Sequence, residues 1–207
     1  LVSREEVWHK GRQLFSRPDN TDDQDAVLLT QTRLEQIAAN AQFRELADFF
    51  GSITYLHLVP QLLKFAEHLG GRALENDPFG QGFLERIAKT TERVRTTRLK
   101  KISEALTLAV PQFRELRFIK DELGRPHLEA LYSHHRPNAG WQSEEHFSDG
   151  TLRLLGLLWA LLDGSSMLLL EEPEISLNDA VVKEIPVIMQ RLQKNRNPKR
   201  QVVISTH

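Results

Sequence analysis

Ser166-Met167-Leu168-Leu169-Leu170-Glu171-Glu172-Pro173-Glu174 is the stretch that decides how this chain is read. Four large apolar residues in succession, Met167 to Leu170, predict a strand buried on both faces, as in a parallel sheet. Carboxylates follow at its carboxyl end, where open α/β sheets bind their ligands. Burying such acids unpaired would be expensive, so a metal ion or an activated water gives them a purpose. Glu171 is the candidate for holding Mg²⁺, directly or through water. Glu172 is the candidate acceptor beside an in-line nucleophile attacking a phosphoryl group. On this stretch alone, a strand that simply exits into a charged loop remains the plainer alternative.

Downstream, residues 179–194 show a helical pattern and residues 200–205 a second apolar strand. Pro186 inside that helix predicts a kink or early break. Two apolar strands joined by a helix form an α/β crossover signal. His207 follows the second strand, so it is placed beside the two acids at one sheet edge. Upstream, Phe147-Ser148-Asp149-Gly150-Thr151 precedes a Leu-rich helix over residues 149–162 whose only charged residue after the first turn is Arg153. Ser148 or Asp149 is the expected cap. Gly150 lets backbone approach a ligand closely, and the helix start offers an anion site. An ordinary capped core helix is the alternative.

Further upstream, residues 113–121 and 127–132 flank Leu123-Gly124-Arg125-Pro126, a hairpin signal. Residues 133–145 read as loop. Residues 83–110 read as helical, with Leu99, Ile102, Leu106 and Ala109 on one stripe and Pro111 as the stop. Residues 53–59 read as a strand bounded by Pro60, and residues 60–69 as a short helix. Residues 28–50 show helical spacing, with Leu34, Ile37, Ala38 and Ala41 as one stripe. The first 27 residues read as polar and broken.

Composition narrows the function classes. The 207 residues are 40% hydrophobic and 27% charged, an ordinary globular balance. Twenty-seven basic residues against 28 acidic ones leave a net charge of −1, which excludes a uniformly cationic nucleic-acid coat. The absence of cysteine excludes disulfide scaffolds, thiol nucleophiles and cysteine metal sites, and favours a cytoplasmic location. The apolar run from Leu154 to Leu162 is too short to span a bilayer, so no membrane role is expected. A start without methionine and an end directly after a strand suggest an internal piece of a longer protein. The basic stretch Arg93, Arg95, Arg98, Lys100 and Lys101 reads as a solvated helix face, and His127, His134, His135 and His146 fit no standard metal spacing. Trp159 is expected in the core.

Residues 147–153 resemble the signature motif of ABC-type ATPases of the RecF/SMC/Rad50-like class. They are especially close to the predicted AAA-family ATPases of bacterial DNA repair and anti-phage defence, including the overcoming-lysogenization-defect relatives. Residues 167–174 are similar to the Walker B run of that class and Ser205-Thr206-His207 to its switch-histidine ending. The strong resemblance covers residues 112–207. It implies an α/β fold, a partial P-loop NTPase lobe of ABC type with parallel core strands, a helical insertion and a β-hairpin. Three segments are implied: 1–59, a helical segment and strand of the ATPase domain; 60–111, an inserted helical arm; and 112–207, the signature and Walker B lobe.

The implied activity is ATP hydrolysis with Mg²⁺. The metal would lie near Glu171, with Glu172 and His207 catalytic and Ser148, Asp149 and Gly150 closing over nucleotide. Those three residues act across a homodimer with composite sites, and DNA and a nuclease or toxin are candidate partners. A non-hydrolysing interaction module and a transporter-type ATPase are the alternatives; the inserted helices and hairpin argue against the latter. No Gly-x-x-x-x-Gly-Lys-[Ser/Thr] phosphate loop occurs in the chain, so the loop is expected upstream and this piece alone should bind ATP poorly.

Overall fold

A computed structural model of the protein describes residues 1–36, 38–65, 77–133, 140–194, 196–197 and 199–206. Contacts divide the chain into two compact units, Leu1–Ile53 and Thr54–His207.

The first unit corrects the reading of residues 1–27 as broken loop. Strands β1 (Glu5–His9) and β2 (Arg12–Arg17) form an antiparallel hairpin in which Val7 faces Phe15. Lys10 and Gly11 both take positive φ, the twist that a two-residue hairpin turn requires. Asp19 then caps a single-turn helix α1 (Asn20–Gln24) through a capping box with Asp22. Arg17 is buried and organises the unit, binding Asp22 Oδ1 at 2.6 Å and the carbonyls of Leu28 and Gln31 at 2.7 and 3.0 Å. Burial alone would raise the Asp22 pKa; the hydrogen-bonded Arg17 guanidinium outweighs it and holds the carboxyl below the usual range.

The helical spacing of residues 28–50 is realised only in part. Ala26–Thr30 and Ala41–Phe43 are 3-10 turns, and the α-helix α2 is confined to Arg44–Ser52. Between them polar side chains compete with the helical ladder. Glu35 accepts from the Thr32 amide at 2.7 Å, and buried Asn40 donates to the Leu34 carbonyl at 3.2 Å. Ile37 lies outside the described residues.

The second unit holds the parallel sheet. Strand β3 (Thr54–Leu56) leads through α3 (Pro60–Lys64), α4 (Phe83–Lys89) and α5 (Glu92–Ala109) to the antiparallel strands β4 (Phe113–Lys120), β5 (Pro126–Tyr132) and β6 (Trp141–Ser143). Helix α6 (Asp149–Leu162), strand β7 (Leu168–Glu171), helix α7 (Asp179–Gln193) and strand β8 (Val202–Ser205) complete it. The sheet order is β3-β7-β8, all parallel, with Thr54 beside Leu168 and Glu171 beside Ser205. The expected α/β fold with parallel core strands and helical insertions is present.

Several boundaries differ from the sequence reading. The helical run 83–110 is broken at Thr90-Thr91, where both residues are extended; Arg95 donates to the Ala88 and Thr90 carbonyls and ends α4. Residues 133–145 are not all loop: β6 adds to β5, and Glu144–His146 is a 3-10 turn. Residues 134–139, including His134 and His135, lie outside the described set, as do residues 66–69 of the expected short helix. Of the kink or early break expected at Pro186, the break is absent: helix α7 runs on through it. On β7 the burial is one-sided: Leu168 and Leu170 are fully covered, whereas Leu169 is half-buried and its neighbours Tyr55 and Val203 are exposed.

The core packs on α6. Its leucines at 152, 154, 155, 157, 158 and 161 are buried, and it touches α3, α5 and α7. Trp159 is buried as expected, edge-on to Phe83 and under the Arg98 guanidinium. Gly156 is needed because a β-carbon there would meet the Leu58 side chain at 2.4 Å. Two arginines close the far end of α6. Buried Arg200 donates to Ala160, Asp163 and Ser166 carbonyls and to Thr54 Oγ1, joining α6, β3 and the entry to β7. Arg196 donates to the Leu161 and Gly164 carbonyls. Cations at a helix carboxyl end also meet the negative pole of its dipole. Among the described residues no helix is long and apolar enough to cross a membrane.

Candidate functional site at the sheet edge

Parallel register brings the carboxyl ends of β3, β7 and β8 to one edge. Glu171 is the last residue of β7, level with Ser205 of β8. Glu172 continues from it, donating its amide to the Ser205 carbonyl at 2.9 Å. Its φ of 46° lies in the left-handed region, which costs a non-glycine residue about 1–2 kcal/mol. Such strain often marks a functional position. Ser176, four residues on, has φ 66° as well. Thr206 donates to the Glu174 carboxylate, so the end of β8 is tied to the turn after β7. His207 itself lies outside the described residues.

Two side chains that the sequence reading did not single out surround Glu171. Tyr55, on β3, donates its hydroxyl to Glu171 Oε2, and His57 Nδ1 lies 3.9 Å from the same oxygen. Tyr55 and His57 are two apart on a strand-like stretch, hence on one side; that alternation was the available signal. His57 Nδ1 is buried without a hydrogen-bond partner, and so is Arg153 Nε. Arg153 and Glu171 line one small cavity with Leu58, Leu170 and Pro173. Two orphaned buried nitrogens around one carboxylate call for an explanation, and a bound group is one.

The start of α6 is built as its sequence suggested. Ser148 is the cap, its Oγ accepting from the Thr151 amide at 3.1 Å and pairing with Thr151 Oγ1 at 2.8 Å. Asp149 is held from α3: Lys64 Nζ reaches Oδ1 and Gln61 Nε2 reaches Oδ2, each at 3.1 Å. Gly150 has a close neighbour within its own chain, since a β-carbon there would lie 2.5 Å from the Ser176 carbonyl oxygen. The first turn of α6 therefore rests directly on the turn that follows Glu172.

The donors suit a hard cation. Mg²⁺ takes oxygen ligands, keeps several waters and is often held by one or two carboxylates plus substrate phosphates. Glu171 offers a carboxylate whose side chain is 43% exposed at the sheet edge. Among the described residues no cluster of three or more histidine, cysteine, aspartate or glutamate side chains could enclose a metal by itself. A single carboxylate of this kind could serve only as one ligand among waters and phosphate oxygens.

Comparison with solved structures returns SMC head domains. The chain is 19% identical to the Smc head with an extended coiled coil bound to the C-terminal domain of ScpA from Pyrococcus furiosus (TM-score 0.42, covering 56% of this chain and 29% of that one). It is 20% identical to the Smc head with coiled coil and joint from Pyrococcus yayanosii (TM-score 0.42; 60% and 25%). It is 18% identical to an SmcHead bound to the C-winged helix domain of ScpA (TM-score 0.47; 75% and 47%). The chain spans less than half the length of each. No curated protein matches it. A family profile described as "AAA domain, putative AbiEii toxin, Type IV TA system" matches residues 13–207, nearly the whole chain. The chain belongs to this AAA_21 family of ABC-type ATPase domains, and its parallel-stranded unit is part of a P-loop NTPase lobe of that type.

Proposed function

We propose that this chain supplies the signature and Walker B parts of an ATPase that converts ATP and water to ADP and phosphate as a head-to-tail dimer. The observation that carries the reading is the β7–β8 register, which sets Glu171 and Glu172 beside Ser205 and Thr206 at the carboxyl edge of a parallel sheet.

Glu171 would hold Mg²⁺, which supplies charge neutralisation on the phosphates when bound. Tyr55 orients that carboxylate from β3, and His57 stands close by just after the strand. Glu172 accepts a hydrogen bond from the attacking water and fixes it in line. The Ser205 carbonyl anchors its amide and so limits the carboxylate's sweep. His207, next after Thr206, contacts the γ-phosphate. Ser148, Asp149 and Gly150 of the second subunit approach that phosphate with the positive end of α6. Lys64 offsets the Asp149 charge that would otherwise repel it. The segment boundaries at 59 and 111 accompany this reading, with residues 60–111 as the inserted arm. Closure of the dimer on ATP and its release on hydrolysis would drive a DNA, nuclease or toxin partner in repair or defence.

These residues contain no Gly-x-x-x-x-Gly-Lys-[Ser/Thr] motif, so the test uses the protein at full length, with whatever phosphate loop it carries. Glu172→Gln should leave ATP binding intact and cut turnover by about 10²-fold or more. Fluorescent-nucleotide titration and phosphate release measure the two. A parent that never binds ATP would instead support the non-hydrolysing interaction module.

A further inference from the structure

Three hydroxyl groups form a chain that ends at the start of α6. Thr151 is buried in the first turn of that helix, and its Oγ1 lies 2.8 Å from Ser148 Oγ. Ser148 is exposed and also accepts from the Thr151 amide at 3.1 Å. Behind them stands Tyr132, the last residue of β5. Its ring is edge-on to Phe113 and Phe147, with centroids 5.6 and 6.2 Å away. Both phenylalanines are buried, so the tyrosine ring is held on two sides. The Tyr132 hydroxyl hydrogen-bonds the Thr151 side chain.

An ordinary helix cap needs only the bond from the Thr151 amide. The hydroxyl pair is additional, and burial gives it a direction. A hydroxyl donates one hydrogen bond and accepts up to two. Run inward, from Ser148 to Thr151 to Tyr132, the chain leaves its last proton on the phenol between two apolar rings. Run outward, it leaves that proton on Ser148, where water can accept it. A buried polar group without a partner is costly, which favours the outward direction. Burial also pushes the Tyr132 pKa up by more than the Thr151 hydrogen bond lowers it, so the phenol keeps its proton to donate. Ser148 Oγ then accepts from both the amide and the hydroxyl of Thr151. Its own proton is left to point away from both donors.

We propose that Thr151 is a positioning residue that aims the Ser148 hydroxyl outward as a donor, with Tyr132 holding Thr151 in turn. The proposal rests on the ATPase reading above. It specifies how the signature serine is set for its task, which is to give a hydrogen bond to a phosphate oxygen of the nucleotide on the second subunit. Such an oxygen only accepts, so a serine that had spent its proton on Thr151 would meet it with lone pairs. Thr151 touches no nucleotide in this scheme and acts only through Ser148.

The experiment uses the protein at full length in the Glu172→Gln background, which should hold ATP without turning it over. Sedimentation reads ATP-driven dimerisation, and fluorescent-nucleotide titration at low protein concentration reads ATP binding by the monomer. Thr151→Val stays close in shape and removes the hydroxyl. It should weaken dimerisation about 10–100-fold, the scale of one hydrogen bond to a charged group, and leave monomer ATP affinity unchanged. Thr151→Ser should restore dimerisation. Tyr132→Phe, which keeps the ring, should weaken it in the same sense, so the result does not hang on one variant. A capping role alone would lower the Tm of Thr151→Val without separating dimerisation from ATP binding. Dimerisation of Thr151→Val as tight as its parent or tighter would overturn the proposal, because Ser148 would then have been donating inward. Failure of Thr151→Ser to restore it would do the same. Absence of ATP binding in the wild type would instead overturn the ATPase reading, and this proposal with it.

Discussion

A methyl group on residue 150 has nowhere to go: the Ser176 carbonyl oxygen would be 2.5 Å away and the Leu177 side chain 3.1 Å. The obstacle is backbone, which cannot swing aside as a side chain can. Gly150→Ala should therefore destabilise the fold by about 1–3 kcal/mol, seen as a lower midpoint in chemical denaturation. An unchanged midpoint would mean that the two turns are not in contact. The sequence made Gly150 conspicuous but suggested a ligand as the reason for its smallness. The neighbour turns out to be within the chain, at Ser176 in the turn after β7, and no local pattern encodes that. The position of Glu171 and Glu172 at the end of a parallel strand was legible for the opposite reason, because four apolar residues stand immediately before them. Tyr55 and His57 escaped notice because their importance depends on β3 pairing with β7 across more than a hundred residues.

At the scale of elements, the approach to α6 is held by a buried acid. Glu144, in the 3-10 turn before Phe147, accepts from the Leu128 amide at 2.9 Å and pairs with His127 Nδ1 at 2.7 Å. Asp121 lies 3.7 Å from the other ring nitrogen. Desolvation works against the charged imidazole, yet the Glu144 hydrogen bond and charge, joined by Asp121, raise the His127 pKa above its ordinary value. A raised folded pKa means that this contribution is fully present below about pH 6.5 and fades as pH climbs through the folded value. The Tm of the wild type should thus fall more than that of His127→Gln between pH 6 and pH 9. Parallel pH dependences would refute the pairing.

The other end of α6 makes a second element-level prediction. Arg200→Met strips four acceptors of their donor and should cost about 2–4 kcal/mol in denaturant midpoint analysis. Helices α5, α6 and α7 and the β4–β5 hairpin were readable because each has its own periodicity or turn chemistry. The β1–β2 hairpin was missed because its strands are short, half-exposed and rich in charge. The helical spacing of residues 34–41 misled because Asn40 and Thr32 divert the backbone locally.

For the molecule as a whole, the sequence indicated a parallel α/β lobe with acids at its carboxyl edge, and the register of β3, β7 and β8 provides that arrangement. The one-sided covering of the sheet was not legible, since a run of leucines reads alike whether one face or two are packed. Nor does a single chain display a composite site. Mixing two inactive variants of the full-length protein tests it most directly: Ser148→Arg disables the signature and Glu172→Gln disables hydrolysis. In a head-to-tail dimer the mixed pair holds one site in which both parts are intact. Equal mixing should then restore about a quarter of wild-type ATP turnover, because about half the dimers are mixed and each has one working site of two. A mixture as inactive as its components, from proteins that each still bind ATP and exchange subunits, would contradict the account.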